Sequence, residues 1–423
     1  MTRLPAGRRP MVLWAGFAVV HGLLVWLCLV APGWPLGDVE MVYRRWAEDA
    51  ASGGFIVGID IDFVYPILAF VPILAALAFG PAFYAVSWLG IVTLLDAAAF
   101  AFLIDSGSRR AVRAAWWWLG FLLLLGPIAL ARIDSITVPL VVIALLWLAR
   151  RPLWGTALLT VAAWVKVWPV AAFAAVFVVS KARWRLLAAA AGTSAAIVAI
   201  ALALGSGLHV FSFISTQAAR GIQIESPVSI IWLWQAAFKV PGAYIYYDRD
   251  ILTYQVTGNG IDVAIALMTP VLALAALAVL LLGWLAVRGK ADYVRLLPPL
   301  VLALVVTLIA FNKVGSPQFM GWLAAPVVLG LVLRGAAWRT PAVLVAVMAA
   351  LTQVVYPYLY DWLLAAHPLM VVMLTVRNLL EFVLLGWALR EIWMLGARPG
   401  EPAGLPRAAE PLPASLLNTE LKE

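Results

Sequence analysis

Apolar residues run along this chain in blocks long enough to form membrane-crossing helices, broken by short clusters of Arg, Lys, Asp, Gly and Pro. About 20 such residues cross a hydrocarbon core of roughly 30 Å as a helix. The blocks predict spans near 11–31, 83–104, 114–130, 134–149, 153–165, 168–180, 186–204, 263–287, 296–311, 318–333, 341–357 and 369–394. The expected fold class is an all-α polytopic membrane protein with about 12 transmembrane helices. Two large extracytoplasmic loops interrupt the series, loop 1 over 32–82 and loop 4 over 205–262. Residues 1–396 read as one membrane domain. Residues 397–423, rich in Pro, Ala and Glu, read as a disordered cytoplasmic tail.

Two segments resist a plain count. The stretch 65–79 is apolar but short, and counting it as a crossing would put Arg109, Arg110 and Arg113 outside. It is expected to be a half-buried helix that closes loop 1 on the outer face. The stretch 153–179 carries Lys166 and Pro169 in its middle. Two short arms meeting at Val165-Lys166-Val167-Trp168-Pro169 keep both flanking basic clusters inside and bring Lys166 toward the outer face. Such breaks are tolerated where they line protein or a cavity.

Composition excludes a soluble protein, with 65% of residues hydrophobic, 12% charged and a mean hydropathy of +1.00. The first span lacks a small-x-small cleavage site and is longer than a signal-peptide core, so it reads as an uncleaved anchor. Cys28, the sole cysteine, lies within it and leaves no internal disulfide. Basic residues stay in the cytoplasm. That rule places Arg3, Arg8 and Arg9 inside, with Arg150 and Arg151, Lys181 to Arg185, Arg288 to Arg295, and Arg334 and Arg339. Both termini are then cytoplasmic, and the formal charge of +8 reflects topology rather than nucleic-acid binding. Abundant Ala and Arg in place of Lys suggest a bacterial cytoplasmic membrane.

Chemistry concentrates on the outer side. Asp38-Val39-Glu40 with Tyr43 follows the first span. Asp38 either caps a helix starting at Val39 or acts as a general base toward a sugar hydroxyl. Glu40 would orient Asp38, contact sugar or face solvent; two carboxylates alone are a weak metal signal, and no metal is expected. Outward basic residues form a second set: Arg132 beside Asp134, Lys166, Arg220 and Lys313. They suit a departing phosphate, against pairing of Arg132 with Asp134 or snorkelling of Lys166. The turn Asn312-Lys313-Val314-Gly315-Ser316-Pro317-Gln318 reads as cavity-lining or as an interfacial anchor. Arg220-Gly221-Ile222-Gln223-Ile224-Glu225-Ser226-Pro227 reads as a sugar-binding turn or a plain loop. Charges within spans are costly. Arg377 and Glu381 should neutralise each other on one helix face, and Asp96 should be protonated or pair with another helix. His21, His209 and His367 suggest no constellation.

In this order the motifs resemble the GT-C glycosyltransferases, specifically glycosyltransferase family 87, whose best-known members are bacterial α-mannosyltransferases using polyprenyl-phosphate-mannose. The likeness rests on Asp38 and Tyr43, Tyr65-Pro66, Lys166-Val167-Trp168-Pro169 and the 312–318 turn, and covers roughly residues 10–335. The pattern also looks like the catalytic subunit of the first GPI mannosyltransferase, which has an Asp-x-Asp in its first luminal loop, an Asp in the next span (compare Asp96) and an Asn-Lys-Val-x-x-Ser-Gln-Tyr turn. Here the second carboxylate is Glu40, Arg132-Ile133-Asp134 lacks a following Gly, and Gln318 and Phe319 stand where some family members carry histidines.

The resemblance implies an inverting transferase without a cofactor, fed by a polyprenyl-phosphate sugar and serving a glycolipid or glycan acceptor among membrane lipids. Asp38 would be the base. Glu40, Tyr43, Tyr65, Arg132, Asp134, Lys166, Arg220, Gln223, Glu225, Ser226, Asn312, Lys313, Ser316 and Gln318 would bind substrate. Arabinosyl- or glucosyltransferases share the frame, and a lipid-linked sugar transporter or flippase is the rival of another class.

Overall fold

The computed structural model describes residues 9–218 and 220–397; Arg3, Arg8 and the expected tail from 398 onward lie outside them. The chain is built from α1 (Arg9–Val30), α2 (Arg44–Ala51), α3 (Phe70–Ala75), α4 (Tyr84–Ile104), α5 (Arg109–Leu125) and α6 (Asp134–Trp147). It continues through α7 (Pro152–Val165), α8 (Pro169–Val179), α9 (Arg183–Ala203), α10 (Ser212–Ala218), α11 (Ile230–Ala237), and the strands β1 (Tyr244–Asp248) and β2 (Thr253–Thr257). The remainder is α12 (Ile261–Arg288), α13 (Tyr293–Ala310), α14 (Ala324–Arg334), α15 (Arg339–Gln353), α16 (Tyr360–Leu364) and α17 (Pro368–Ala397).

Eight helical runs among the described residues are long and apolar enough to cross a membrane. One of them, Pro317–Tyr358, bends at Gly335 (φ +57°) into α14 and α15. The shorter apolar helices α6, α7 and α8 occupy the places of three other expected spans. The core helix is α13, enclosed by α8, α12, α14 and α17. Its apolar residues run all round the axis, which suits a helix with no solvent or lipid face. Helices α9 and α12 bury little of their surface and form the rim.

The break between α7 and α8 falls where the sequence puts it. Lys166 is extended (φ −150°, ψ +138°), and Pro169 opens α8. Proline lacks the N–H a continuing helix needs but suits a first turn. The Trp168 indole then donates to Thr137 Oγ1 at 2.8 Å, pinning the break to α6. The segment 65–79 does not cross. It makes a 3₁₀ turn over Ile67–Ala69 and then the six-residue α3, which buries Phe70, Pro72 and Ile73.

Loop 1 turns at Gly33, whose φ of +76° favours glycine. A Cβ there would also strike the Pro357 carbonyl, so α1's exit lies against the end of α15. Asp38 does not cap a helix. It is itself helical (φ −64°, ψ −37°), and its side chain makes no capping bond.

Among the described residues, loop 4 holds a two-stranded sheet that departs from an all-helical reading. Strands β1 and β2 pair antiparallel, Tyr244 opposite Thr257 and Asp248 opposite Thr253. Residues 222–224 pair alongside β2, with Ile224 N–H donating to the Tyr254 carbonyl and Val256 N–H to that of Ile222, both at 3.1 Å. Aromatic and β-branched residues favour such strands. Ile222, Ile224, Trp232, Leu233 and Val256 form a second core with Leu363, Met370, Val371 and Leu374 of α16 and α17.

Charges within spans find partners across helices. Asp96 Oδ2 lies 3.1 Å from His21 Nε2, so His21 is the partner that its sequence context does not suggest. Arg377 meets Glu381 at 3.5 Å as expected, but also Glu225 of loop 4 at 3.3 Å.

Gly315 lies so close to the Ser226 backbone that a Cβ would collide with it. Gly315→Ala is expected to cost about 1–3 kcal/mol by overpacking. Limited proteolysis should then cut loop 4 faster than in the wild type; equal resistance would contradict this close approach.

Candidate active site

Several helix ends and connecting segments converge at the end of the bundle that carries loop 1. They are the exit of α1, the α5–α6 junction, the α7–α8 break, the α13–α14 turn and the end of α15. The first centre is Arg132. Its Nε lies 3.0 Å from Asp38 Oδ2, Nη1 donates to the Pro35 and Ala131 carbonyls, and Nη2 donates to the Tyr356 hydroxyl at 2.8 Å. Burial opposes the guanidinium's charge, but Asp38 and Tyr356 outweigh it and raise the pKa further. A guanidinium cannot be neutralised by losing its proton, so its burial demands this full set of acceptors. The Asp38 side chain stays 42% exposed while held from below. Arg132 therefore pairs with Asp38, not with Asp134 as the local sequence suggests.

Asp134 is enclosed and serves a second cluster. Its Oδ1 accepts from the Trp322 indole at 2.7 Å, and its Oδ2 lies 3.7 Å from Lys166 Nζ. Trp322 stacks on Trp168, with ring centres 5.6 Å apart. The Lys166 ammonium sits 4.4 Å above the centre of the Tyr65 ring, a cation–π contact. Tyr43 is buried and receives the Ile133 N–H at 3.3 Å, with its hydroxyl 3.5 Å from that of Tyr65. Tyr43 and Asp134 are both enclosed in this conformation. Through these contacts they meet Ile133, Tyr65 and Lys166.

Arg220 faces the same region. Burial pulls its pKa down, with the Tyr65 phenol opposing, and its Nε is buried without a hydrogen-bond partner among the described residues. The Gln223 side-chain nitrogen is orphaned likewise. Such groups are costly unless something accepts from them. Gln223 N–H reaches the Lys313 carbonyl at 3.0 Å, and Ser316 Oγ donates to Gln223 Oε1 at 3.4 Å, so the two outer turns interlock. Asn312 shapes its own turn by accepting from Val314 N–H at 2.9 Å. Burial lowers the Lys313 pKa. Gln318 lies beneath, lining a cavity of about 20 Å³ with Asp96, Asp134 and Ser135.

Glu225 and Ser226 are enclosed and tie loop 4 down. Glu225 pairs with Arg377, and Asn378 donates to the Ser226 carbonyl at 3.5 Å. Glu40 accepts from the Trp34 indole at 2.9 Å while Asp38 meets Arg132, so the two carboxylates do not converge on one point.

Residues 63–246 match the model of glycosyltransferase family 87. Over that stretch the chain resembles glycosyltransferases of this family. No curated protein matches it. The matched stretch carries Tyr65, Arg132, Asp134, Lys166, Arg220, Gln223, Glu225 and Ser226. Asp38 and the 312–318 turn lie outside it and join the site through Arg132 and Gln223.

Tyr356 and Tyr360, missed from the sequence, complete the site wall: their rings meet edge to face at 5.1 Å, and Tyr360 packs on Tyr254 at 6.0 Å. Tyrosines at a span's end read as interfacial anchors, which hides this role.

Glu225 has its pKa raised from 4.5 to about 7 by burial, against the pull of Arg377. The folded state thus holds this proton more tightly than the unfolded one. The resulting stability is complete below pH 4.5 and fades as pH rises through about 7. Loop 4 of the wild type should lose protease resistance over that window, and Glu225→Gln should flatten the profile. An equally steep decline in the variant would assign the effect elsewhere.

Proposed function

We propose that this glycosyltransferase moves a hexose, mannose as the leading candidate, from a polyprenyl-phosphate carrier to a glycolipid or glycan acceptor on the extracytoplasmic face, with inversion. The reading is carried by one observation: an exposed carboxylate, Asp38, held by a buried guanidinium beside a region rich in cationic and orphaned donors. Asp38 takes the acceptor's hydroxyl proton as that oxygen bonds to the anomeric carbon. The bond from that carbon to the phosphate oxygen breaks, and polyprenyl phosphate leaves with the electron pair. The charge gathering on it is met by Lys166, the Arg220 Nε and the Gln223 amide, donors that gain most as the transition state forms.

Arg132 has four donor contacts within the protein. It thus positions Asp38 instead of gripping phosphate. Tyr65, partly exposed beneath Lys166, offers an aromatic face to sugar. The proposal extends to a bacterial cytoplasmic membrane with both termini cytoplasmic, a GT-C domain over 1–396 and a tail over 397–423. The chemistry needs no metal or cofactor.

The test is reconstitution with radiolabelled polyprenyl-phosphate-mannose and a membrane lipid extract. Wild type should label a new glycolipid, and Asp38→Asn should lose transfer by about 10²–10⁴-fold while assembling normally. Full activity in Asp38→Asn would remove Asp38 as the base. Labelling only from arabinosyl or glucosyl donors would overturn the choice of mannose.

A further inference from the structure

A groove of about 700 Å³ lies between α5, α14 and α15, at some distance from the site. Along α15 its wall is Ala342, Val343, Ala346, Val347 and Ala350, a helical face of small and β-branched residues, and Leu124 of α5 lies opposite. At the site end, α5 and α15 are held close: a Cβ on Gly126 would collide with Gln353. At the other end stand Arg110, Arg113 and Arg339, all exposed, and no Asp or Glu lines the groove. The 17-residue α5 places this basic end about 25 Å from the α5–α6 junction.

The charge there is concentrated beyond what side chains alone supply. Arg110 and Arg113 occupy the first turns of α5, and Arg339 begins α15. Helix N-termini carry partial positive charge and favour anions over cations. Two such ends and three guanidiniums therefore face one opening, an arrangement that an anion relieves. Arg110 spends one donor on the Leu333 carbonyl at 2.9 Å. Among the described residues none of the three makes an ion pair, whereas nearby Arg334 is paired with Glu391 at 2.9 Å. Positive-inside topology accounts for basic residues on this side, but not for their position at the mouth of an apolar groove.

We propose that this groove binds an anionic phospholipid from the leaflet opposite the candidate active site. The phosphodiester would lie among Arg110, Arg113 and Arg339 with charge-assisted hydrogen bonds, and one acyl chain would lie along the Ala342–Ala350 face. Basic pockets between membrane helices select acidic headgroups in this manner. The bound lipid would brace α15, whose C-terminal end leads to Tyr356 and so to Arg132.

Native mass spectrometry on detergent-purified full-length protein tests this, using equimolar phosphatidylglycerol and phosphatidylcholine of matched chains. Wild type should retain phosphatidylglycerol preferentially. The combined change Arg110→Gln, Arg113→Gln and Arg339→Gln should lower that preference by about tenfold or more. Ala346→Trp fills the apolar groove while sparing every charge, so it should displace the bound phosphatidylglycerol even if the triple variant assembles poorly. Equal retention of the two lipids by wild type would overturn the proposal, as would unchanged phosphatidylglycerol binding in Ala346→Trp.

Discussion

A guanidinium buried at a helix junction cannot shed its charge, and the architecture of the site follows from satisfying Arg132. Its acceptors come from segments distant in sequence: Pro35 and Asp38 after α1, Ala131 at the α5–α6 junction and Tyr356 after α15. Removing one acceptor leaves an uncompensated buried charge, which costs far more than a surface pair does. The constraint therefore brings three chain segments together and leaves one carboxylate partly open. On the proposed mechanism, placement of the base and satisfaction of the buried charge become one requirement. The close fit of Gly33 against Pro357 serves the same junction from the backbone side.

A second buried arginine treats loop 4 in the same way. Arg377 holds Glu225 and Glu381 from within α17, while Gly315 lets the α13–α14 turn touch Ser226 without a side chain between them. Two carboxylates on one guanidinium carry excess negative charge when both are ionised. The raised pKa of Glu225 follows from that burial, not from a role in proton transfer. Loop 4 is thereby anchored at its turn, with its hairpin and Tyr254 free to form the site wall beside Tyr360.

Much of the frame is legible in the residues alone. Helices occupy all twelve expected places, because each apolar block is helix-compatible, but α6, α7 and α8 are shorter than a membrane-crossing helix. The break at Lys166 is legible because Pro169 cannot continue a helix. Partners across the fold are not. Arg132 sits two residues from Asp134 yet pairs with Asp38, because α6 begins at Asp134 and turns that carboxylate toward Lys166 and Trp322. His21 and Asp96 meet between helices for which no spacing rule applies. The hairpin at 244–257 lies in a loop where polar and aromatic residues alternate too briefly to stand out from a large helical background.

The central claim is that Arg132 acts on the reaction through Asp38. The most direct measurement is the kinetics of Arg132→Lys in the reconstituted transfer assay. A lysine keeps the charge but loses the fork that reaches Asp38, Tyr356 and two carbonyls together. Misplacing the base should lower kcat by about 100-fold with the donor KM little changed. A raised donor KM at unchanged kcat would contradict the account and assign Arg132 to the lipid phosphate.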